Sequence, residues 1–261
     1  LGCRVPAAAR GHGIRGSGQS TRGRLAGSCR GYPEAMSPLR PLDQSSKLKD
    51  VLYEIRGEAL VEADRLEAEG HSILKLNTGN PAIFGFEAPH QIVRDMIASV
   101  PHAHGYSDSR GILSARRAVV SRYEQEPGFP HVDPDHVYLG NGVSELITMT
   151  MQALLDEGDE VLIPAPDYPL WTAMTSLGGG TPVHYLSDES REWQPDLEDI
   201  RSKITPRTKA IVVINPNNPT GAVYSREVLE GIAAIAREHS LLVLADEIYD
   251  RIVFDLSLIH I

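Results

Sequence analysis

The chain has 261 residues and a formal net charge of −10, and residues 36–261 carry 19 Lys+Arg against 34 Asp+Glu, a net charge of −15. So acidic a chain binds nucleic acid or an anionic membrane surface poorly, and no window approaches the 18 consecutive apolar residues of a membrane-spanning helix. Both cysteines, Cys3 and Cys29, lie in the first 35 residues. Disulfides and cysteine-based metal sites are therefore excluded from the rest, and a cytoplasmic location is expected.

The two ends of the chain differ in composition from its middle. Residues 1–35 hold six arginines, eight glycines and one acid, and they begin with Leu. This composition allows an organellar transit peptide, but so many glycines disfavour an amphipathic helix. We expect a non-native or disordered leader, with Met36 as the true start. Residues 256–261 look like translated sequencing adapter, so the natural chain is expected to continue beyond Asp255.

The first predicted elements are mostly helical. Ser45 or Ser46 can cap a helix whose apolar residues recur at helical spacing from Leu48 to Leu66, and Gly70 would end it. A short strand is predicted at Ile73–Leu76. Two further helices are predicted at Gln91–Val100 and Ile112–Gln125.

The remainder alternates regularly between the two kinds of element. Strands are predicted at 136–139, 159–163, 182–186, 209–214 and 241–245, and helices near 143–155, 168–177, 196–203 and 225–239. This alternation predicts an α/β fold with a mostly parallel sheet flanked by helices on both faces. The continuous apolar runs Ala210–Ile214 and Leu241–Ala245 predict fully buried strands. Ligands of such sheets bind beyond the carboxyl ends of the strands.

Two polar blocks follow these apolar runs. Asn215-Pro216-Asn217-Asn218-Pro219-Thr220-Gly221 comes after the first run, and Asp246-Glu247-Ile248-Tyr249 comes after the second. Adjacent strands would deliver an amide, a carboxylate and a phenol to one edge of the sheet. That set fits a pyridine ring that carries a hydroxyl group, because the carboxylate can pair with the ring nitrogen and keep it protonated.

The two blocks resemble the signature of fold-type I, class I/II aminotransferases, which use pyridoxal 5′-phosphate, and the resemblance runs from Leu48 to Asp255. It implies that Asp246 pairs with the ring nitrogen and that Asn218 and Tyr249 bond the ring oxygen. Asn215 and Asn217 are expected to form the turn, because Asn suits turns. Glu247 is expected to point away from the site.

Two turns resemble cofactor-binding segments of the same family. In Gly140–Glu145, the residues Gly142, Val143 and Ser144 would hold the cofactor phosphate at a helix N-terminus. The alternative is an ordinary capped turn. In Asp167-Tyr168-Pro169, the ring of Tyr168 would stack on the pyridine. The alternatives are a buried turn tyrosine, or Trp171 in the stacking role.

Two segments nearer the N-terminus also resemble family motifs. Tyr106, in Tyr106–Gly111, matches a tyrosine that reaches the partner's cofactor phosphate across a dimer, although a solvated loop with a helix cap is the alternative. Gly79, in Asn77–Pro81, matches the loop that lies against the substrate carboxylate, to which Asn218 would contribute as well. The following Ile83–Phe86 is similar to the bacterial alanine-transaminase branch.

One family feature is absent from this sequence. The family needs a lysine that forms a Schiff base with the cofactor, downstream of the Asp-x-x-Tyr block, and no lysine follows Asp246. Lys203 and Lys209 precede that block and do not match. No catalytic residue is therefore assigned, and the chain alone is expected to be inactive. The ten histidines show no metal-ligand spacing, so no metal site is expected.

The resemblance also implies a domain plan and a function. Residues 36–80 would form an N-terminal arm and part of a small domain, and residues 81–255 an incomplete large domain. The implied reaction is transamination of alanine with 2-oxoglutarate to pyruvate and glutamate, in a cytoplasmic homodimer with shared active sites. The alternatives are an aspartate or aromatic aminotransferase, a pyridoxal-phosphate lyase, or a non-catalytic aminotransferase-like binding module.

Overall fold

The computed structural model describes residues 43–51, 57–75, 79–126 and 128–253. The chain divides into two units, Leu1–Asp43 and Gln44–Ile261, and every described helix and strand belongs to the second. The predictions for residues 1–35 and 256–261 lie outside the described residues, as do Asn77 and Thr78 of the predicted substrate loop.

In the part of the second unit that the structure describes, a five-stranded sheet forms the centre. Its strands are β1 (Glu160–Ala165), β2 (Thr181–Asp188), β3 (Gln194–Pro195), β4 (Thr208–Ile214) and β5 (Leu242–Asp246). They lie in the order β3-β2-β1-β4-β5, and only the two-residue β3 runs antiparallel to its neighbour. The predicted α/β fold with a mostly parallel sheet is confirmed. Because β1 is flanked by β2 on one side and β4 on the other, the strand order reverses at β1, where such sheets bind their ligands.

Among the described residues, seven α-helices accompany the strands. They are α1 (Gly57–Ala68), α2 (His90–Ser99), α3 (Leu113–Tyr123), α4 (Val143–Leu154), α5 (Pro169–Leu177), α6 (Leu197–Ser202) and α7 (Arg226–His239), with 3₁₀ turns at Ser46–Asp50, Pro81–Phe84, Val100–His102, Pro134–His136 and Glu189–Arg191. The helices predicted from Gln91 onward are confirmed to within a few residues.

The helix predicted from Ser45 to Gly70 is wrong as one element. Ser45 does cap a turn, through a bond from the Lys47 N–H, but that turn is a 3₁₀ helix that ends at Asp50. Val51 is extended, with φ −95° and ψ 100°, and the next described helix is α1, Gly57–Ala68. Apolar residues continue at helical spacing past Val51. The spacing alone therefore does not indicate where the backbone leaves the helical conformation.

Two predicted strands are also wrong. The strand predicted at Ile73–Leu76 is described only as far as Lys75, and Ile73–Lys75 are in no strand. Residues 136–139 contain the end of a 3₁₀ turn, followed by the extended Val137 and by backbone that is in no strand. The Val137 N–H donates to the Pro134 carbonyl at 3.1 Å, within the turn, and the Leu139 N–H donates to the Arg110 carbonyl at 2.9 Å, outside any strand. A short apolar run becomes a strand only where another strand lies beside it. Neither of these runs has a neighbouring strand among the described residues.

Alternate residues of the central strands enter two apolar clusters. Val161 and Ile163 of β1 pack with Val212 of β4 and with α4 and α5, whereas Leu162 and Ile211 pack with α6 and α7. The strand Ala210–Ile214 is buried on both faces, as predicted. Leu241–Ala245 is not: Leu242 is 47% and Val243 41% exposed. Within the described residues β5 is an edge strand, which the sequence of the strand itself does not reveal.

Candidate active site

Three carboxyl ends of strands meet beside the point where the strand order reverses. The turn of Tyr168 follows β1, the loop Asn215–Gly221 follows β4, and Asp246 ends β5. The backbone N–H of Asn215 donates to the carbonyl of Asp246 at 2.9 Å, which joins the second and third segments. The sheet therefore brings both polar blocks to one edge, as the sequence predicts.

Asp246 is a buried carboxylate with neutral hydrogen-bond donors. It is 4% exposed, its Oδ2 accepts a 2.9 Å bond from Trp171 Nε1, and its Oδ1 accepts a 3.3 Å bond from the N–H of Ile248. Among the described residues no Lys, Arg or His forms an ion pair with it. Burying a carboxylate without a cation is costly, so the site suits a cationic ligand such as a protonated pyridine nitrogen. The residues therefore fit the cofactor that the sequence predicts.

The loop after β4 uses two of its three asparagines to hold its own shape. Asn215 Oδ1 accepts a 2.9 Å bond from the N–H of Tyr224, and Asn217, only 3% exposed, bonds the Tyr224 hydroxyl and the Thr220 hydroxyl. Both are turn-formers, as predicted. Asn218 is half-buried, and its side chain bonds no residue that the structure describes. Its amide is thus the one in this loop that remains available to a ligand.

Tyr224 supports this loop as a neutral phenol. Its side chain is buried, and burial raises the pKa of the phenol to about 12. The hydroxyl stays protonated at neutral pH and accepts the bond from Asn217 Nδ2 at 3.2 Å. Tyr185 behaves in the same way. Burial raises its pKa well above the ordinary value, and its hydroxyl donates to the Val212 carbonyl at 2.8 Å.

Asn218 and Tyr249 line one cavity. Its volume is about 980 Å³, and Pro216, Val223 and Ile252 form part of its apolar wall. An amide and a phenol in a largely apolar cavity of this size can orient a small aromatic ligand. Asp246 is not among the residues that line this cavity, although it is only three residues from Tyr249.

The turn before α4 has the geometry of an anion site. Gly142 is the N-cap of α4 with φ 77° and ψ 169°, a conformation that is essentially restricted to glycine. The first N–H groups of the helix, from Val143 onward, have no partner within the helix and carry the partial positive charge of its N-terminus. Glu145 already accepts a bond from the Asn141 N–H, so one donor of the turn is used internally.

Tyr168 and Trp171 stand at the start of α5. Tyr168, the N-cap of the helix, is half-buried against the cluster that holds Trp171 and Ile214, and Val143 packs against the same cluster. Trp171 is the alternative stacking residue, but its indole is buried and bonded to Asp246. The sequence analysis missed this contact. The available signal was that a buried Trp needs a partner for its N–H.

Two further predicted site residues are exposed. Tyr106 is fully exposed, and Gly79 is exposed with open space around its Cα. The loop after Tyr106 is nevertheless ordered by charge, because Asp108 bonds both Arg110 and the buried Arg116. Bonds from Arg110 lower the pKa of Asp108 to about 2.

The two adjacent asparagines allow a matched test of structure against binding. We expect Asn217→Ala to lower the free energy of unfolding by about 1–3 kcal/mol, because it leaves buried polar groups without partners. Asn218→Ala removes the same atoms, but the Asn218 side chain forms no hydrogen bond to a described residue. Its free energy of unfolding should therefore stay within about 0.5 kcal/mol of wild type, while its cofactor affinity falls. Urea unfolding and equilibrium cofactor binding measure the two effects. Equal loss of stability in both variants would contradict this division of roles.

Neither a metal site nor a membrane-spanning helix is found in the described part of the chain. No group of three or more His, Cys, Asp or Glu side chains there is arranged to hold a metal ion. No described helix has both the length and the apolar character needed to cross a bilayer.

Comparisons with known proteins relate this chain to aminotransferases. The sequence model of the family "Aminotransferase class I and II" matches residues 71–260. An alanine aminotransferase of Mycobacterium tuberculosis is 72% identical over 216 residues, which are 83% of this chain and 50% of that protein. The glutamate-pyruvate aminotransferase AlaA of Escherichia coli is 60% identical, over 83% of this chain and 53% of its own length.

A solved structure extends the likeness to three dimensions. The alanine aminotransferase from Pyrococcus furiosus is 41% identical with a TM-score of 0.77, over 82% of this chain and 54% of that one. The chain therefore spans about half the length of the curated relatives it matches.

Proposed function

Because the chain belongs to the class I and II aminotransferase family, we propose that it is the ring-binding part of an alanine aminotransferase. The enzyme would convert alanine and 2-oxoglutarate to pyruvate and glutamate. Relatives named for alanine or glutamate-pyruvate transamination are 57–72% identical, whereas a Bacillus aspartate aminotransferase is 31% identical. This difference in identity favours alanine over aspartate as the amino donor.

The observation that carries the proposal is the buried carboxylate of Asp246, which has no ion pair among the described residues and lies at the same sheet edge as Asn218. When bound, pyridoxal 5′-phosphate would supply an electron sink for the Cα–H bond electrons of the amino acid. Asp246 would hold a proton on the ring nitrogen. Asn218 and Tyr249 would donate to the ring oxygen.

The remaining contacts follow from the turns beside the sheet. The backbone N–H groups of Gly142, Val143 and Ser144 would bind the phosphate at the start of α4. Tyr168 would cover one face of the ring and exclude water from it. Gly79 and Asn218 would bind the substrate carboxylate. The exposed Tyr106 would bond the cofactor phosphate of a second subunit, which makes the active enzyme a homodimer. A cytoplasmic enzyme is proposed.

The cofactor-binding lysine is proposed to lie in the part of the relatives' length that this chain does not cover. No lysine follows Asp246 in the sequence. Purified residues 36–255 should therefore show no transaminase activity, in a coupled assay of pyruvate formation from alanine. Activity in this segment would overturn the assignment of the lysine to the remainder of the protein.

The full-length protein that contains this chain provides the main test. We expect it to bind pyridoxal 5′-phosphate and to form pyruvate from alanine with 2-oxoglutarate as acceptor, and to use aspartate or aromatic amino acids much more slowly. A panel of amino donors and 2-oxo acids measures this. Elimination products instead of amino transfer would indicate a lyase, and absence of cofactor binding would overturn the proposal.

A further inference from the structure

Trp171 contacts two of the proposed ring-binding residues at once. Its side-chain Nε1 donates to Asp246 Oδ2 at 2.9 Å, and its backbone N–H donates to the Tyr168 carbonyl at 3.1 Å. Asp246 ends β5 and Tyr168 is the N-cap of α5, and 75 residues separate Trp171 from Asp246 along the chain. One residue therefore links the proposed partner of the ring nitrogen to the proposed stacking residue.

The indole has little room to move. Trp171 is 5% exposed and packs in one apolar cluster with Ile147 and Met151 of α4 and with Ile214, the last residue of β4. The next turn of its own helix holds its backbone, because the buried Thr175 donates its hydroxyl proton to the Trp171 carbonyl at 2.8 Å. Packing from α4 and β4 thus fixes the direction of the indole N–H, and with it the position of the carboxylate.

The chemical type of the donor matters as much as its position. An indole N–H donates one hydrogen bond, accepts none and carries no charge. An Arg or Lys at this position would neutralise Asp246, and a His would titrate near neutral pH. Trp171 instead orients the carboxylate and leaves its full negative charge for a cationic partner. The Ile248 N–H is the other donor to this carboxylate among the described residues, at 3.3 Å.

We propose that Trp171 is a positioning residue, which fixes the Asp246 carboxylate so that it selects ligands whose ring carries a protonated nitrogen. This inference rests on the proposed function, in which Asp246 faces the ring nitrogen of the cofactor. Trp171 itself would not touch the ring nitrogen.

The test compares two ligands that differ only at the ring nitrogen. Full-length apoprotein is titrated calorimetrically with pyridoxamine 5′-phosphate, and with its analogue in which carbon replaces that nitrogen. Pyridoxamine phosphate is chosen because it needs no covalent bond to a lysine. Wild-type protein should prefer the natural ligand, and Trp171→Phe should reduce this preference about tenfold, as expected for loss of a hydrogen bond to a charged group. Trp193→Phe, the matched control at the other tryptophan of this chain, should retain it.

A second variant separates the hydrogen bond from packing. Benzothienylalanine at position 171 has nearly the shape of Trp but carries sulfur in place of the N–H. The variant should therefore fold even if Trp171→Phe does not. Its preference for the ligand with a ring nitrogen should fall by the same factor of about ten. Full retention of the ligand preference in this variant would overturn the inference. So would an equal loss of affinity for both ligands, which is what a purely structural role predicts. Wild-type protein that binds neither ligand would overturn the proposed function and this inference with it.

Discussion

Replacing Asp246 with Asn is expected to lower the proposed alanine aminotransferase activity of the full-length protein by roughly 100- to 1,000-fold, the cost of removing one preorganised electrostatic group from an active site. The substitution keeps the size of the side chain and can still accept the bond from Trp171 Nε1. It removes the negative charge that would keep the ring nitrogen protonated. The loss should therefore appear mainly in kcat, measured by steady-state kinetics, with the fold intact by circular dichroism.

Glu247→Gln is the matched control. It makes the same chemical change at the next residue, but Glu247 is exposed and follows the end of β5. Its activity should remain within about twofold of wild type, because surface charges away from the site have small effects. Comparable losses in both variants would show that general charge, and not the placement of Asp246, supports the reaction. Full activity in Asp246→Asn would exclude the proposed role of this carboxylate.

The central strands β1 and β4 of the sheet could be predicted because each contains a continuous run of apolar residues. Ala210–Ile214 is apolar at every position, since helices cover both faces, and that pattern is visible without any partner. The strand at Leu241–Ala245 has a similar sequence, yet Leu242 is 47% exposed because β5 has one neighbour among the described residues. Whether a strand lies at the centre or at an edge of a sheet depends on the other strands. A run of apolar residues therefore predicts that a strand forms but not how deeply it is buried.

The site was predictable where chemistry follows directly from a strand end. Asp246 and Asn218 could be placed because parallel strands deliver their carboxyl ends to the same edge, and Asn215 and Asn217 because asparagine favours turns. The bond from Trp171 to Asp246 could not be predicted. This bond joins the first turn of α5, the helix that follows β1, to the end of β5, which is the second strand from β1 in the sheet. Its geometry depends on how α5 packs against the sheet. Sequence patterns report periodicity along one element and not the contacts between elements.

Ile211→Ala is expected to lower the free energy of unfolding of the full-length protein by about 2–5 kcal/mol, the range observed when a large buried aliphatic side chain is truncated to Ala. Ile211 lies at the middle of β4, is fully buried, and packs in the cluster that joins the sheet to α6 and α7. Little relaxation is possible there, because strands on both sides pair with β4. Urea unfolding monitored by circular dichroism measures the change.

Ile211→Val provides the graded control, because it removes one methylene from the same place. It should cost about 0.5–1.5 kcal/mol, clearly less than the Ala variant. Both variants should retain the ligand preference for a ring nitrogen while folded, because Ile211 lies on the face of β4 opposite to the cluster of Trp171. Equal costs for Val and Ala would indicate that the site tolerates a cavity, and a lost ligand preference in folded Ile211→Val would show that the two faces of the sheet are coupled. The expected result instead separates the α6–α7 face, which stabilises the sheet, from the α4–α5 face, which positions the proposed active site.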